Sequence, residues 1–432
     1  MITTHLHPKN LGGGNLHNPQ TTMKFKPIII LATSLFMLAG SACGGQKTVT
    51  TAESNNEQTE QAKPLPDGAI AFDYASHLYF DVVLRDSIPA RMIFDTGNTE
   101  ILLDTKFFKE YFAPSPTLQR VVIQGTGNSL EGAYRDVCDW QYCVGEHSHT
   151  EQGALVMDLR KILGSEVDGM FGMEFMRGRK VEFNYADGYM RILSQEEQPA
   201  DGYVCVECKW LDDKQARMVM PISIKINDKV SFEGNFLVDM GSSGVLDLNS
   251  KMTARLKGVL TNVKKKVYDT GGVGGSRTDY IFKGKSATVA GCEVTDLKMT
   301  FSGNTQGMMA GSSYDGLVGN GFLEHFDVII DFAKGEIWLR PNKNFNKSAK
   351  YDSGMTLTPQ EDCWVVNGLV EGGNAHRAGV RRGDIIISIN GLSREQVSLK
   401  ELKKMNRSDE DWKVVVKRND TTNEVTFKKE KY

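Results

Sequence analysis

The stretch IFDTGNTEILLD at residues 93–104 recurs as LVDMGSSGVLDL at residues 237–248. Asp95 in the first copy aligns with Asp239 in the second, and a glycine stands two positions after each aspartate. Self-similarity of this kind within one chain is typical of a duplicated structural unit. The repeat therefore predicts two similar lobes.

A second pair of segments supports the duplication. DGMFGMEFMRGRKVEFNYADGYMRIL begins at Asp168, and DGLVGNGFLEHFDVIIDFAKGEIWL begins at Asp315. The second copy follows the first by 144 residues for the aspartate motif (239 − 95) and by 147 residues for this segment (315 − 168). Because order and spacing are both kept, chance similarity of two short words is a poor explanation.

Each aspartate stands at the end of a predicted strand. HLYFDVVLRDSIPARMIFDTG and MPISIKINDKVSFEGNFLVDMG both read as an alternating strand, a polar turn and an apolar strand that leads into Asp-x-Gly. Gly97 and Gly241 permit the tight turn that brings each carboxylate to the surface of its lobe. Two carboxylates that face each other share a proton, because both cannot ionise easily. One then acts as a base on water while the protonated one polarises a carbonyl oxygen, which hydrolyses an amide bond without a metal or cofactor.

These motifs resemble those of the pepsin and retropepsin superfamily of aspartic proteases, in particular bacterial retropepsin-like proteases with two lobes in one chain. The resemblance covers residues 67–345 and implies a mainly β, bilobal double β-barrel. It implies that Asp95 and Asp239 are catalytic, and that an apolar-apolar-Gly element in each lobe packs across the catalytic loop. The residues that carry the resemblance are Asp95-Thr96-Gly97 with Met170-Phe171-Gly172, and Asp239-Met240-Gly241 with Leu317-Val318-Gly319.

The second copy departs from the superfamily pattern at one position. The family usually has Thr or Ser after each catalytic aspartate, and the hydroxyl hydrogen bonds to the opposite loop. Thr96 conforms, whereas Met240 has no hydroxyl. Asn98 and Ser242 stand where either side chain could donate to the neighbouring carboxylate. The alternative is that Asp239 only caps a turn in a lobe that has lost its activity.

Two glycine-rich stretches are candidates for flaps over the cleft, which the superfamily also requires. They lie some thirty residues after their aspartates, and one in each lobe would resemble the retropepsin dimer. The alternative is that both are plain hairpin turns. The candidate residues are Gly125, Thr126 and Gly127 in the first stretch, and Gly272, Val273 and Gly274 in the second.

The C-terminal segment WVVNGLVEGGNAHRAGVRRGDIIISINGLS, residues 364–393, resembles a PDZ domain of the bacterial protease-associated type. Such domains add a peptide as an extra strand, which we expect beside the strand that starts at Trp364, Val365 and Val366. Glu361 and Asp362 occupy the loop expected to receive a terminal carboxylate, and their charges would repel it. Binding of an internal segment, or packing on the protease lobes, is an equal alternative.

The N-terminus predicts a bacterial lipoprotein signal. Two lysines precede an apolar run at residues 28–39, and small residues then lead into Cys43, which would carry the lipid. The alternative is an ordinary cleaved signal with an incidental cysteine. Residues 44–66 have almost no large apolar side chain and are interpreted as a flexible tether.

Composition narrows the function further. The chain has 432 residues with 51 basic and 54 acidic side chains, a net charge of −3, which gives no sign of a surface that binds nucleic acid. Six cysteines remain after Cys43. In an oxidising compartment the close pairs Cys138/Cys143 and Cys205/Cys208 are possible disulfides, with a four-thiolate zinc site as the lesser alternative.

The sequence thus predicts an aspartic endopeptidase of the cell envelope, lipid-anchored and facing the periplasm or the cell surface, with a polypeptide substrate, no cofactor and no need for a dimer. The rival hypothesis is a noncatalytic envelope protein that binds peptides in a degenerate cleft. The predicted divisions are the signal region (1–43), the tether (44–66), the first lobe (67–195), the second lobe (196–345) and the PDZ domain (346–432).

Overall fold

The computed structural model describes residues 64–113, 116–211, 217–311, 313–347 and 349–431. The predicted signal region with Cys43, and the predicted tether up to residue 63, lie outside these residues. Within the described residues, no helix is both long and apolar enough to cross a lipid bilayer.

The first lobe (N-lobe) is built almost wholly of strands. Short helices only connect them, because the apolar side chains alternate along most segments with the period of a strand rather than of a helix. The strands are β1 (Ala69–Ala71), β2 (Asp73–Tyr74), β3 (Leu78–Leu84), β4 (Ile88–Asp95), β5 (Leu102–Asp104), β6 (Leu118–Gln124), β7 (Leu130–Val144), β8 (His147–Met157), β9 (Gly169–Gly172), β10 (Lys180–Asn184) and β11 (Tyr189–Leu193). The helices are α1 (Thr105–Tyr111), α2 (Arg160–Leu163) and α3 (Met173–Met176).

The second lobe (C-lobe) repeats this succession of elements. Its strands are β12 (Val204–Glu207), β13 (Lys209–Trp210), β14 (Met218–Asn227), β15 (Val230–Val238), β16 (Leu246–Leu248), β17 (Lys265–Gly272), β18 (Gly275–Val289), β19 (Cys292–Ser302), β20 (Gly316–Val318), β21 (Phe326–Asp331) and β22 (Glu336–Pro341). Its helices are α4 (Ser250–Arg255), α5 (Lys257–Leu260) and α6 (Asn320–Leu323), with a 3₁₀ turn at Met308–Ala310.

The strand order is the same in both lobes. The N-lobe sheet runs β3-β4-β9-β5-β8-β7-β6, and the C-lobe sheet runs β14-β15-β20-β16-β19-β18-β17. A further pairing, β3 with β7 and β14 with β18, curls each sheet back on itself into a barrel-like lobe. The duplication visible in the sequence therefore extends to the topology.

A shared sheet joins the lobes beneath the cleft. Its order is β1-β11-β10-β21-β22-β12, so the lobes meet where β10 pairs antiparallel with β21. Val181 lies opposite Ile330, and Phe183 opposite Val328; all four side chains are buried. This dry contact fixes the lobes to each other, because separating them would return these apolar side chains to water.

The C-terminal module follows the lobes. Its strands are β23 (Tyr351–Asp352), β24 (Met355–Pro359), β25 (Trp364–Val370), β26 (Ile385–Ile389), β27 (Leu392–Ser393), β28 (Trp412–Arg418), β29 (Thr421–Phe427) and β30 (Glu430–Lys431). Its helices are α7 (Asn374–Arg377) and α8 (Leu399–Arg407), with a 3₁₀ turn at Arg394–Gln396. The module has its own core around Trp364 and Trp412 and joins the C-lobe sheet where β25 pairs with β17. The predicted fold class, mainly β with two barrel-like lobes followed by a further C-terminal domain, is confirmed.

The cysteines differ from expectation. All six in the described residues are free thiols. Cys138 and Cys143 lie on the one strand β7, which keeps their backbones roughly 16 Å apart, far beyond the reach of a disulfide. The Cys205 and Cys208 pair lies in the other lobe, so the four thiols do not form one zinc site either.

Candidate active site

The two Asp-x-Gly loops leave equivalent strands at equivalent points. Asp95 is the last residue of β4, and Asp239 directly follows β15. A parallel strand from the apolar-apolar-Gly element lies beside each: β9 places Gly172 opposite Asp95, and β20 places Val318 opposite Val238. Each aspartate is therefore held by the sheet of its own lobe.

The loops bring the two carboxyl groups together across the lobe boundary. A Cβ atom at Gly241 would overlap the Asp95 carboxyl group, and one at Gly97 would lie 3.0 Å from Asp95 Oδ1 and 3.4 Å from Asp239 Oδ1. The Gly97 N–H also donates to Asp95 Oδ1 at 2.6 Å. Both glycines are thus required for the close approach, since any side chain would occupy the space that the carboxyl groups fill.

Burial and mutual repulsion make the pair retain a proton. Asp95 and Asp239 are 3% and 4% exposed. Burial, the charge of Asp95 and a hydrogen bond with Asp95 together raise the pKa of Asp239 to about 7, although a backbone hydrogen bond with Gly241 opposes this. With this raised pKa, the Asp239 carboxyl group keeps its proton up to about neutral pH.

Thr96 crosses from one loop to the other as the sequence predicts. Its hydroxyl donates to Val238 O at 2.7 Å and accepts from the Met240 N–H at 3.0 Å. The Met240 side chain is fully buried in the main hydrophobic cluster and makes no equivalent bond. The side-chain hydrogen bonds between the two loops therefore come from Thr96 and have no counterpart at Met240.

Asn320, which the sequence analysis missed, secures the loop that Met240 leaves without a hydroxyl. It is fully buried at the start of α6, and its Nδ2 donates to Met240 O at 2.6 Å and to Ser76 O at 3.2 Å. Its Oδ1 accepts from the Tyr185 hydroxyl at 2.7 Å. The only sequence signal was an asparagine directly after the Leu317-Val318-Gly319 element, where the first copy has Met173.

Asn98 and Ser242 support the turns rather than the carboxylates. Each N–H donates to the carbonyl of its aspartate at 3.1 Å, which closes the turn. The Ser242 hydroxyl accepts from the Gly244 N–H, and Asn98 Nδ2 has no partner among the described residues. The expected hydrogen bond from either side chain to a catalytic carboxylate is absent there.

The two glycine-rich stretches meet tip to tip. The Gly127 N–H donates to Val273 O at 2.7 Å, and the Ser129 N–H donates to Gly274 O at 2.9 Å. Thr126, Gly272 and Val273 line the same cleft as the dyad. Gly125 packs against Val273 so closely that a side chain there would clash. The hairpins β6–β7 and β17–β18 thus form a roof with a contribution from each lobe.

His77 is a second residue that the sequence analysis missed. It lies directly before β3 and lines the cleft with both aspartates. Its Nδ1 is fully enclosed and has no hydrogen-bond partner among the described residues. Enclosure lowers the pKa of His77 to about 4, while the charge of Asp95 and a backbone hydrogen bond with Gly241 raise it. The imidazole beside the dyad is therefore neutral at neutral pH.

The strand at which the sequence predicts a peptide groove has a neighbouring strand on each side. Trp364 and Val365 pair with β24 on one side and with β26 on the other, and Trp364 and Val366 are fully buried. This stretch has no free edge for a peptide. The module's edge strand beside α8 is β24. Glu361 pairs with Lys106 of the N-lobe at 2.6 Å.

Comparison with known proteins gives a match to a domain family and a similarity to a solved structure. The PDZ domain family matches residues 365–417. Among solved structures, the chain is similar to an aspartic proteinase from Irpex lacteus, with 11% identity and a TM-score of 0.41 over 65% of this chain and 98% of that one. No curated protein matches the chain in sequence. Residues 365–417 are thus a PDZ domain, and the lobes have structural similarity to an aspartic proteinase.

Proposed function

We propose that this protein is an aspartic endopeptidase whose Asp95 and Asp239 activate water for peptide-bond hydrolysis. The observation that carries the proposal is the close pairing of two buried carboxyl groups, one from each lobe, with the pKa of Asp239 raised to about 7. Such a pair supplies a base and an acid at the same pH.

The geometry suits a direct attack by water. While Asp239 holds the shared proton, Asp95 accepts a proton from water, whose oxygen attacks the scissile carbonyl carbon. Asp239 gives its proton to the carbonyl oxygen, which leaves a neutral tetrahedral diol. The amide nitrogen then takes the proton from Asp95, the carbon–nitrogen bond breaks, and a diol hydroxyl returns its proton to Asp239. The hairpin tips exclude water and hold the substrate backbone.

A second candidate is a noncatalytic protein that binds peptides in the same cleft. It is favoured by Met240, which lacks the hydroxyl that this superfamily usually has. The contacts of Asn320 weigh against it, because they hold the Met240 loop in place by another route.

We further propose that Cys43 carries a lipid, that the protein works on the cell envelope, and that its partners are polypeptides rather than nucleic acid. Both aspartates come from one chain, so a monomer suffices for the site. Labelling with a radioactive fatty acid, abolished by Cys43→Ala, tests the anchor.

Cleavage of a peptide library with blocked termini by the full-length protein, scanned across acid and neutral pH, tests the activity. We expect Asp95→Asn and Asp239→Asn each to lower the cleavage rate by about 10³-fold. Asp81→Asn is the matched control, since that side chain is 95% exposed on the same lobe. If both dyad variants bind peptides and no form cleaves them at any pH, the binding function replaces the enzyme.

A further inference from the structure

The cleft that contains the dyad extends into the C-terminal module. The cleft has a volume of about 520 Å³ and is lined by Asp95 and Asp239 together with β24 and residues of α8. The module is therefore part of the wall of the cleft, not a separate body on a linker.

Helix α8 presents an apolar side chain to this cleft. Its sequence LKELKKMNR is amphipathic, yet none of its residues is fully buried. Leu399 packs on an N-lobe cluster that contains Tyr79 and Met170, next to Ile162 of α2 and Val273 of the C-lobe hairpin. All five side chains also line the cleft. Together they form an apolar pocket with contributions from both lobes and the module.

Ion pairs to the buried carboxylate of Glu324 fix α8 in this position. Lys403 and Arg407 donate to Glu324 of the C-lobe at 2.8 and 2.7 Å. Although burial opposes it, these two charges lower the pKa of Glu324 to about 2. Lys403 also lies 3.7 Å from the centre of the Tyr74 ring. A helix held this way presents Leu399 at a constant place.

The N-lobe holds the module from the other side. The Ser165 N–H donates to Pro359 O at 2.8 Å, and the Thr358 hydroxyl donates to Ile162 O at 3.4 Å. Together with the pairing of β25 and β17, these contacts attach the module to both lobes.

The groove between β24 and α8 is unsuited to a chain terminus. At its start, the N–H groups of Ser353, Gly354 and Met355 are already bonded to Asn406 Oδ1, Asp352 Oδ1 and Ser353 Oγ. The loop at its other end carries Glu361, whose charge is paired with Lys106, and Asp362, whose charge repels a carboxylate. The first end therefore offers no free N–H donors for a terminal carboxylate, and the other end places the Asp362 charge where such a carboxylate would lie.

We propose that the PDZ domain forms part of the substrate pocket, with Leu399 as a specificity-determining residue for an apolar side chain near the scissile bond of an internal polypeptide segment. This inference rests on the proposed protease function. The substrate backbone lies between the hairpin tips and the dyad, and the chain beyond the pocket runs along the middle of β24, whose strand pairing in the described residues is with β25. Substrate selection and substrate recruitment then occur in one continuous site.

The test uses the full-length protein and a series of internal peptides that differ only at one scissile-proximal position, carrying Ala, Leu, Phe or Trp. We measure kcat/KM for wild type, Leu399→Ala, Leu399→Trp and the control Leu392→Ala, an exposed leucine of the same module outside the cleft. We expect Leu399→Ala to move preference about tenfold toward Trp, and Leu399→Trp to move it about tenfold toward Ala. The control ratios stay unchanged.

Selectivity within about twofold of wild type in both Leu399 variants would overturn the inference while leaving the protease function intact. If the wild type cleaves nothing, the protease function fails, and binding of the same peptides to Asp239→Asn with and without each Leu399 substitution decides the pocket separately. A ratio of affinities that moves supports the pocket, and one that does not overturns it. Peptides with a free or an amidated C-terminus should bind equally; a strong preference for the free carboxylate contradicts the internal-segment part.

Discussion

In the N-lobe the residue after the paired aspartate is Thr96, and the residue after the glycine of the apolar-apolar-Gly element is Met173. In the C-lobe the same two positions hold Met240 and Asn320. Each lobe thus has one polar side chain and one methionine, in opposite places. Thr96 reaches across to the other loop, whereas Asn320 holds its own loop and ties it to Ser76 of the N-lobe. The comparison teaches that a missing hydroxyl does not by itself mark a degenerate lobe.

The largest loss of stability is expected when Asn320, which secures the Met240 loop of the C-lobe, is replaced. Asn320→Leu leaves the Met240 and Ser76 carbonyls and the Tyr185 hydroxyl buried without their partner, which should lower the free energy of unfolding by about 4 kcal/mol. Met173→Leu, the matched change in the N-lobe, should cost less than about 1.5 kcal/mol. Urea unfolding measures both, and equal losses would refute the division of roles.

Removal of the N-lobe hydroxyl comes next. Thr96→Val keeps the shape but leaves the Met240 N–H without its acceptor, and we expect a loss of about 2 kcal/mol. Cleavage should fall about tenfold, because the loops lose their register. Thr96→Ser retains the hydroxyl and should restore both quantities. If the serine variant were as impaired as the valine variant, packing of the Thr96 methyl group would matter rather than the hydrogen bonds of its hydroxyl.

The shared proton gives the third prediction. Because the pKa of Asp239 is raised in the folded protein, the folded state binds a proton that the unfolded chain has lost at neutral pH, so stability falls as pH rises toward and through about 7. Asp239→Asn removes this dependence. The difference in free energy of unfolding between the variant and the wild type should therefore shift in favour of the variant by about 2 kcal/mol from pH 5 to pH 8. Thermal unfolding at both pH values measures it, with Asp81→Asn as the control. Peptide cleavage should decline over the same rise in pH, since both carboxylates then ionise; cleavage that increases through pH 7 would contradict the shared proton.

The smallest effect tests whether a hydroxyl at position 240 can replace the Asn320 amide in holding the C-lobe loop. Met240→Thr places a hydroxyl where the twofold relation predicts bonds to Phe94 O and the Thr96 N–H, but it removes buried apolar volume. We expect a net loss of about 1 kcal/mol. In this background Asn320→Leu should be less harmful than in wild type by at least about 0.5 kcal/mol, measured as a double-mutant cycle. If the effects of the two substitutions on the free energy of unfolding were strictly additive, the hydroxyl and the amide would act independently and not on the same loop contact.

The sequence was sufficient to predict those structural features that occur in both lobes. The Asp-x-Gly loops, the apolar-apolar-Gly strands beside them and the hairpins recur at a constant spacing, and periodic apolar residues predict the strands between them. The pairing of Asp95 with Asp239 follows from duplication, because equivalent loops of two similar lobes face each other.

The remaining site residues break the repeat, and for that reason they were missed. Asn320 and His77 have no counterpart of the same chemistry in the other copy, and each contacts a residue of the other lobe that is distant in sequence, Ser76 for Asn320 and Gly241 for His77. The prediction of the PDZ groove required knowing which strand lies at the edge of the sheet. The alternation of apolar residues in the sequence does not distinguish an edge strand from a central one. The free cysteines reflect strand geometry that spacing alone does not reveal.

The two hairpins over the dyad are anchored differently. The C-lobe hairpin is fastened along its stem, since β17 pairs with β25 of the module, whereas among the described strands β6 of the N-lobe hairpin pairs only with β7. The N-lobe hairpin is instead fastened at its tip, through backbone bonds of Gly127 and Ser129. An incoming extended chain offers the same donors and acceptors as that tip, so it can exchange for those bonds one by one. Under the proposed function, a substrate enters by replacing hydrogen bonds of the N-lobe hairpin tip, while the paired stem of the C-lobe hairpin stays in place.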